Sequence, residues 1–147
     1  MAGIDTSIEI DAPAETVWAV LADIGAYPSW NPFMRRLEGD WRVGSRLTVD
    51  LKPAGASKPT TFRPTVEVAD EGSKLQWIGH LGVPGLFDGR HELIVEPVDA
   101  THSRFVQRES FKGILVPLLG RTLAAAREGF EAMNAKLKEL AEARAAG

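Results

Sequence analysis

Cysteine is absent from the 147 residues, which excludes a disulfide scaffold and any thiolate chemistry. An excess of positive charge is missing too. Lys and Arg number 17 against 20 Asp and Glu, a formal net charge of -3, so the chain lacks the basic footprint of a nucleic-acid-binding protein. No apolar run approaches the roughly 20 residues that span a bilayer, and the N-terminus lacks the basic-then-apolar pattern of a secretion signal. The chain is therefore expected to be cytoplasmic, without stable membrane insertion. Histidine is scarce: His80, His91 and His102 are scattered without close ligand spacing, so no metal site is expected. No Gly-rich loop follows a strand and opens a helix, and no serine-nucleophile signature occurs, so no cofactor is expected either.

What remains is an ordinary globular composition, 44% hydrophobic and 25% charged, enough for one domain over residues 1–147 with a full core. Its most informative feature is the ending. Leu119, Leu123, Ala126, Phe130, Met133, Leu137 and Leu140 alternate in steps of four and three, which is one continuous stripe on a long helix. The charges between them mix both signs, as on a solvated helix face.

Ahead of the helix lie short alternating segments. Ile4, Thr6, Ile8 and Ile10 share one parity, as do Leu47, Val49 and Leu51. Further strands are expected through Phe62 to Val68, Leu75 to Ile78, His91 to Glu96 and Arg104 to Phe111. Between the first strand and the rest, Pro13 suits a helix start, Val17, Leu21 and Ile24 form its face, and Gly25 ends it. Tyr27 to Phe33, reading YPSWNPF, has two prolines and predicts a tight turn or a single helical turn. The order is strand, two short helices, five or six strands, long helix. That order implies an antiparallel α+β fold.

This order and four segments resemble the START-related helix-grip (SRPBCC) superfamily, in its polyketide cyclase/dehydrase-like bacterial branch. The segments are IDAPAETVWAVLADIGAYPSWNPF (Ile10 to Phe33), LQWIG (Leu75 to Gly79), FDGRHELIVEP (Phe87 to Pro97) and FVQRESFKG (Phe105 to Gly113). The resemblance implies a curved seven-stranded antiparallel sheet gripping the C-terminal helix. It also implies a hydrophobic pocket between them, roofed partly by the two short helices. One such fold hosts ligand carriers, lipid-transfer proteins, cyclases and regulators, so no catalytic set transfers by motif.

Strand parity places His91 with Leu93 and Val95, and Gln107 and Glu109 with Phe105 and Phe111. A turn centred near Val98 to Ala100 would set Leu93 opposite Phe105, His91 opposite Gln107 and Glu109 opposite Gly89. Diagonal neighbours on one sheet face lie within reach of long side chains, so His91, Gln107 and Glu109 are expected to form one polar cluster. It is either a structural network, a ligand anchor or an acid–base pair. The expected lining is Trp77, His91, Phe105, Gln107, Glu109 and Phe130, with Tyr27, Trp30 and Phe87 at the mouth. Ala126, the small member of the helix stripe, would leave volume beneath it or be met by a large sheet residue. Two apolar loops, Leu81 to Phe87 and Ile114 to Leu119, are expected as lips or as a docking face, including for a second copy of the chain. The leading expectation is a binding module for a small hydrophobic molecule: a lipid, an isoprenoid or an aromatic polyketide-like compound. The alternatives are a cyclase or dehydratase using His91 and Glu109, and a protein-interaction module.

Overall fold

The first alternating segment forms strand β1 (Ala2–Ile10), with Ile4, Thr6 and Ile10 turned inward. A computed structural model describes residues 2–147. Pro13 is extended and caps helix α1 (Ala14–Ala22), which buries Val17, Val20 and Leu21. Ile24 and Gly25 do not extend and end that helix as its pattern predicted. They lie in a separate 3-10 turn, Ile24–Ala26. The YPSWNPF segment supplies a single helical turn, α2 (Tyr27–Trp30). Asn31 secures its exit: its Oδ1 accepts the N–H groups of Phe33 (3.0 Å) and Met34 (2.8 Å), a local side-chain bond of the kind turns favour.

Tyr27, expected at the pocket mouth, is 0% exposed. Its hydroxyl donates to the Leu21 carbonyl, and burial pushes the phenol far above its ordinary range, with Asp23 adding to the effect. Tyr27 is therefore a core strut between α1 and α2. Tyr27→Phe leaves that carbonyl unpaired and is expected to destabilise the protein by about 1–2 kcal/mol, read from urea unfolding. A change within error would place the Leu21 carbonyl in contact with water.

The remaining strands are β2 (Met34–Glu38), β3 (Thr48–Leu51), β4 (Thr60–Phe62), β5 (Thr65–Asp70), β6 (Lys74–His80), β7 (Asp88–Pro97) and β8 (Ser103–Lys112). They make two antiparallel sheets, β1-β8-β7-β6-β5 and β2-β3-β4. The expected seven-stranded sheet is thus eight strands in two sheets. Two local features account for the difference. Pro64 carries no N–H for a ladder, and the Phe62 to Val68 segment divides there into β4 and β5. In β2, a bulge between Met34 and Arg36 brings Met34 and Leu37 inward together. Their spacing of three hides the strand from a period-two reading. The chain before β3 stitches the sheets together: Leu47 N–H donates to the Pro64 carbonyl and Val66 N–H to the Ser45 carbonyl, both at 2.9 Å.

The β7–β8 hairpin also differs from its expected register. Val95 faces Phe105, Leu93 faces Gln107, His91 faces Glu109 and Gly89 faces Phe111. The turn is centred one residue later than expected because Asp99 organises it. Its carboxylate accepts the Thr101 N–H at 2.8 Å, while the N–H groups of Val98 and Asp99 both reach the His102 carbonyl. Parity is unaffected, since the slip is two residues along the partner strand.

Helix α3 (Gly120–Ala146) lies across the main sheet. Phe130, Met133, Leu137 and Ala141 are 0% exposed, while Leu123 and Ala126 are only partly buried. The stripe is therefore dry in its middle and later turns. Its first turns overhang a cavity. None of the helices among the described residues is long and apolar enough to cross a membrane.

Candidate functional site

The cavity has a volume of about 130 Å³. Its walls are mostly apolar and come from five parts of the chain, the loop after β6 giving Leu81 and Phe87. The main sheet gives Trp77, Gly79, Gly89 and Phe111. The smaller sheet and its loops give Val49, Leu51, Pro53, Phe62 and Pro64. Helix α3 gives Thr122, Leu123 and Ala126, and Phe33 lies at the base. Trp77 points inward because Leu75, Trp77 and Gly79 share one face of β6. Ala126 opens volume on the helix side, and no bulky sheet residue fills it.

Four of the residues singled out from sequence line this space: Trp77, Phe87, Glu109 and Ala126. His91, Phe105, Gln107 and Phe130 lie behind the wall, each 0% exposed. Tyr27 and Trp30 do not line it. They pack against each other edge-on, ring centres 5.3 Å apart, and belong to the α1–α2 corner. An aromatic column backs the cavity. Trp41 stacks on Trp77 (6.1 Å), Trp77 on His91 (4.9 Å), and His91 meets Phe130 (4.9 Å), which meets Phe33 (5.2 Å). Trp41 was not anticipated, since it follows the Gly39–Asp40 turn outside any alternating run.

The mouth is built differently from the sequence expectation. Loop residues 81–87 and 113–119 are not opposite lips. They are tied to each other, with Leu115 N–H donating to the Leu86 carbonyl (3.1 Å) and Ile114 N–H to the Gly85 carbonyl (3.3 Å). Gly113 makes the junction possible. Its φ is +130, and a Cβ there would collide with the Leu86 carbonyl. Phe87 folds inward onto Phe111, ring centres 5.3 Å apart, Leu81 borders the cavity, and Val83, Ile114 and Leu118 project outward. Pro53, Phe62 and Pro64 line the cavity from the side of the smaller sheet. At the rim, His80 Nδ1 lies 2.6 Å from Asp88 Oδ1, and Asp88 also accepts the Gly85 N–H. The His80 ring, with that N–H, holds the Asp88 carboxyl below the usual carboxylate range.

One carboxyl enters the apolar space, which Thr122 and His80 also border. Glu109 sits in the wall with its side chain 16% exposed. Gly89 makes room for it, since a Cβ on that residue would collide with Glu109 Oε2. Behind it, His91 Nδ1 stands 3.4 Å from Glu109 Oε1, and His91 Nε2 is 2.9 Å from Gln107 Oε1. The expected cluster of His91, Gln107 and Glu109 is thus assembled, with Glu109 beside His91 and Gln107 diagonal to it.

The cluster extends further than sequence reasoning carried it. Gln107 Nε2 donates to Asn134 Oδ1 at 2.8 Å. Asn134 Nδ2 donates to Thr6 Oγ1 at 2.9 Å, and Thr6 donates to the Gln107 carbonyl at 2.7 Å. Asn134 had a signal that went unread: it follows Phe130 by four residues, on the buried face, where a polar side chain requires partners.

No curated protein is a match to the chain. Among solved structures, it is similar to the ZhuI aromatase/cyclase from Streptomyces sp. R1128, with 20% identity over 99% of this chain and 98% of that one and a TM-score of 0.78. It is also similar to a START superfamily protein from Mycobacterium smegmatis, with 19% identity, coverage of 94% and 98%, and a TM-score of 0.69. Norcoclaurine synthase from Thalictrum flavum shares 14% identity over 97% of this chain and 95% of that one, with a TM-score of 0.72. At such identities these likenesses concern the helix-grip fold alone. The sequence itself goes further, because residues 1–143 match one family throughout, and the chain belongs to the family of polyketide cyclase / dehydrase and lipid transport proteins.

Proposed function

We propose that this protein binds a small hydrophobic molecule in the cavity between the sheet and α3. The observation that carries the reading is a largely apolar cavity with aromatic walls and one half-buried carboxyl, the usual make-up of a small-molecule site. Burial of apolar ligand surface supplies the attraction, roughly 25 cal/mol per Å² before the costs of ordering. Its size, about 130 Å³, favours a ring-sized guest, because cavities of roughly 150 Å³ take up benzene. The family description, which joins cyclases and lipid transport, supports a hydrophobic ligand.

Native mass spectrometry of the full chain, set against the denatured mass, tests this. The expected result is a non-covalent adduct of defined mass, or saturable uptake of toluene by the apo protein. A clean apo mass with no uptake of toluene would overturn the reading. A second reading, an acid–base enzyme of the cyclase or dehydratase kind, draws on the closeness of His91 to Glu109. In that case Glu109→Gln would abolish turnover while leaving ligand uptake in place.

A further inference from the structure

The hydrogen-bond chain behind Glu109 runs in one direction only. Its anchor is the Gln107 backbone carbonyl, which has lone pairs and no hydrogen to give. The Thr6 hydroxyl must therefore donate to that carbonyl, so the Thr6 oxygen is free to accept. It accepts from Asn134, which places the amide nitrogen of Asn134 toward Thr6 and its oxygen toward Gln107. The Gln107 nitrogen then donates to Asn134, and the Gln107 oxygen faces His91. An amide oxygen only accepts, so His91 Nε2 must carry hydrogen. In a neutral ring that leaves Nδ1 as a bare lone pair. Nδ1 is buried without a hydrogen-bond partner among the described residues, and it faces Glu109 Oε1 at 3.4 Å.

In that tautomer Nδ1 has no hydrogen to give Glu109 Oε1, and the other carboxyl oxygen presents lone pairs only. That oxygen is Oε2, which lies over Gly89 in the cavity wall.

We propose that Thr6, Asn134 and Gln107 set the His91 tautomer, and that Glu109 thereby offers the cavity a hydrogen-bond acceptor. The cavity then selects apolar ring-sized ligands that carry an O–H or N–H donor over otherwise similar ligands without one. This rests on the cavity being the ligand site. Thr6, Asn134 and Gln107 act as positioning residues, and Glu109 Oε2 makes the contact.

Phenol and toluene are the probes, since they differ by hydroxyl against methyl on the same ring. In a purely apolar cavity toluene binds better, because phenol must give up water at its hydroxyl. Titration of the full chain, followed by NMR shifts around Trp77 and Ala126, is expected to show phenol binding about tenfold tighter than toluene. Glu109→Gln is expected to keep the preference, because its amide nitrogen donates to Nδ1 and its oxygen turns to the cavity. Glu109→Leu is expected to reverse it. The chain itself is read from the side-chain nitrogen-15 shifts of His91, assigned with a His91→Phe variant, and wild-type protein is expected to show hydrogen on Nε2. In Gln107→Leu that hydrogen loses its partner and the two-nitrogen pattern changes.

Toluene binding as well as phenol or better in the wild type would overturn the selectivity while leaving the cavity site intact. Uptake of neither ring would overturn the cavity reading and the proposal together. A His91 with hydrogen on Nδ1 and a bare Nε2 would overturn the chain, and this measurement needs no variant to fold beyond the one used for assignment.

Discussion

Phe130→Ala is expected to lower stability by about 3–5 kcal/mol, the range for removing a fully buried phenyl ring. Phe130 is 0% exposed and is the point where α3 meets the main sheet and the segment leading into β2. Its ring packs on Phe33 at 5.2 Å and on His91 at 4.9 Å, so truncation leaves two aromatic neighbours facing a void. The helix cannot collapse into it readily. Gly129, the adjoining residue, already sits so close to Phe33 that a Cβ there would collide with the ring. Backbone and ring are thus near their closest approach at that turn, and the gap left by Phe130 persists. For a chain of this size the melting temperature should fall by about 10–15 °C. Urea unfolding of wild type and variant gives the free energy directly. A loss under about 1 kcal/mol would mean that the helix repacks, and the grip would be looser than its geometry implies.

Ala126→Phe acts in the opposite sense. Ala126 lines the cavity from the helix side, and a phenyl group added there takes the place of a guest. Space of about 130 Å³ is close to that in which a single benzene is held, so the tethered ring should occupy most of it. Uptake of toluene is expected to weaken by more than about a hundredfold, which corresponds to about 2.7 kcal/mol. Stability should change by less than about 1 kcal/mol, because new apolar burial offsets the strain of insertion. Toluene titration alongside thermal unfolding separates the two effects. Unchanged uptake in a folded variant would place the guest elsewhere in the protein.

The parts of this molecule that were legible in sequence are those with strict periodicity. The stripe through Phe130, Met133 and Leu137 marked the buried face of α3, and the parity of Leu75 and Trp77 turned Trp77 inward. Parity also gathered His91, Gln107 and Glu109 even though the hairpin register was placed two residues off, because a slip of two keeps every side chain on its face. What escaped were features that break the period. The bulge in β2 disguised that strand, and Pro64 divided what read as one strand into two. Tyr27 was misplaced for a different reason. An aromatic beside two prolines fits a surface turn as well as a core corner, and only the Leu21 carbonyl that its hydroxyl meets decides between them. The pairing of loops 81–87 and 113–119 depends on chain segments far apart in sequence, and their composition showed only that both are apolar.

The bonds among Thr6, Gln107 and Asn134 also determine how far along the sheet the helix can sit. An apolar stripe is forgiving of sliding, since one aliphatic side chain replaces another a turn away. Asn134 is not interchangeable in this way. Shifted by one turn, the helix would bring Phe130 or Lys138 to Thr6, and the Gln107 side-chain nitrogen would lose its Asn134 acceptor in the core at about 1–3 kcal/mol. Three side chains from the first strand, the last strand and the final helix thus work as a key in a lock, fixing one alignment among several that greasy contact alone would tolerate.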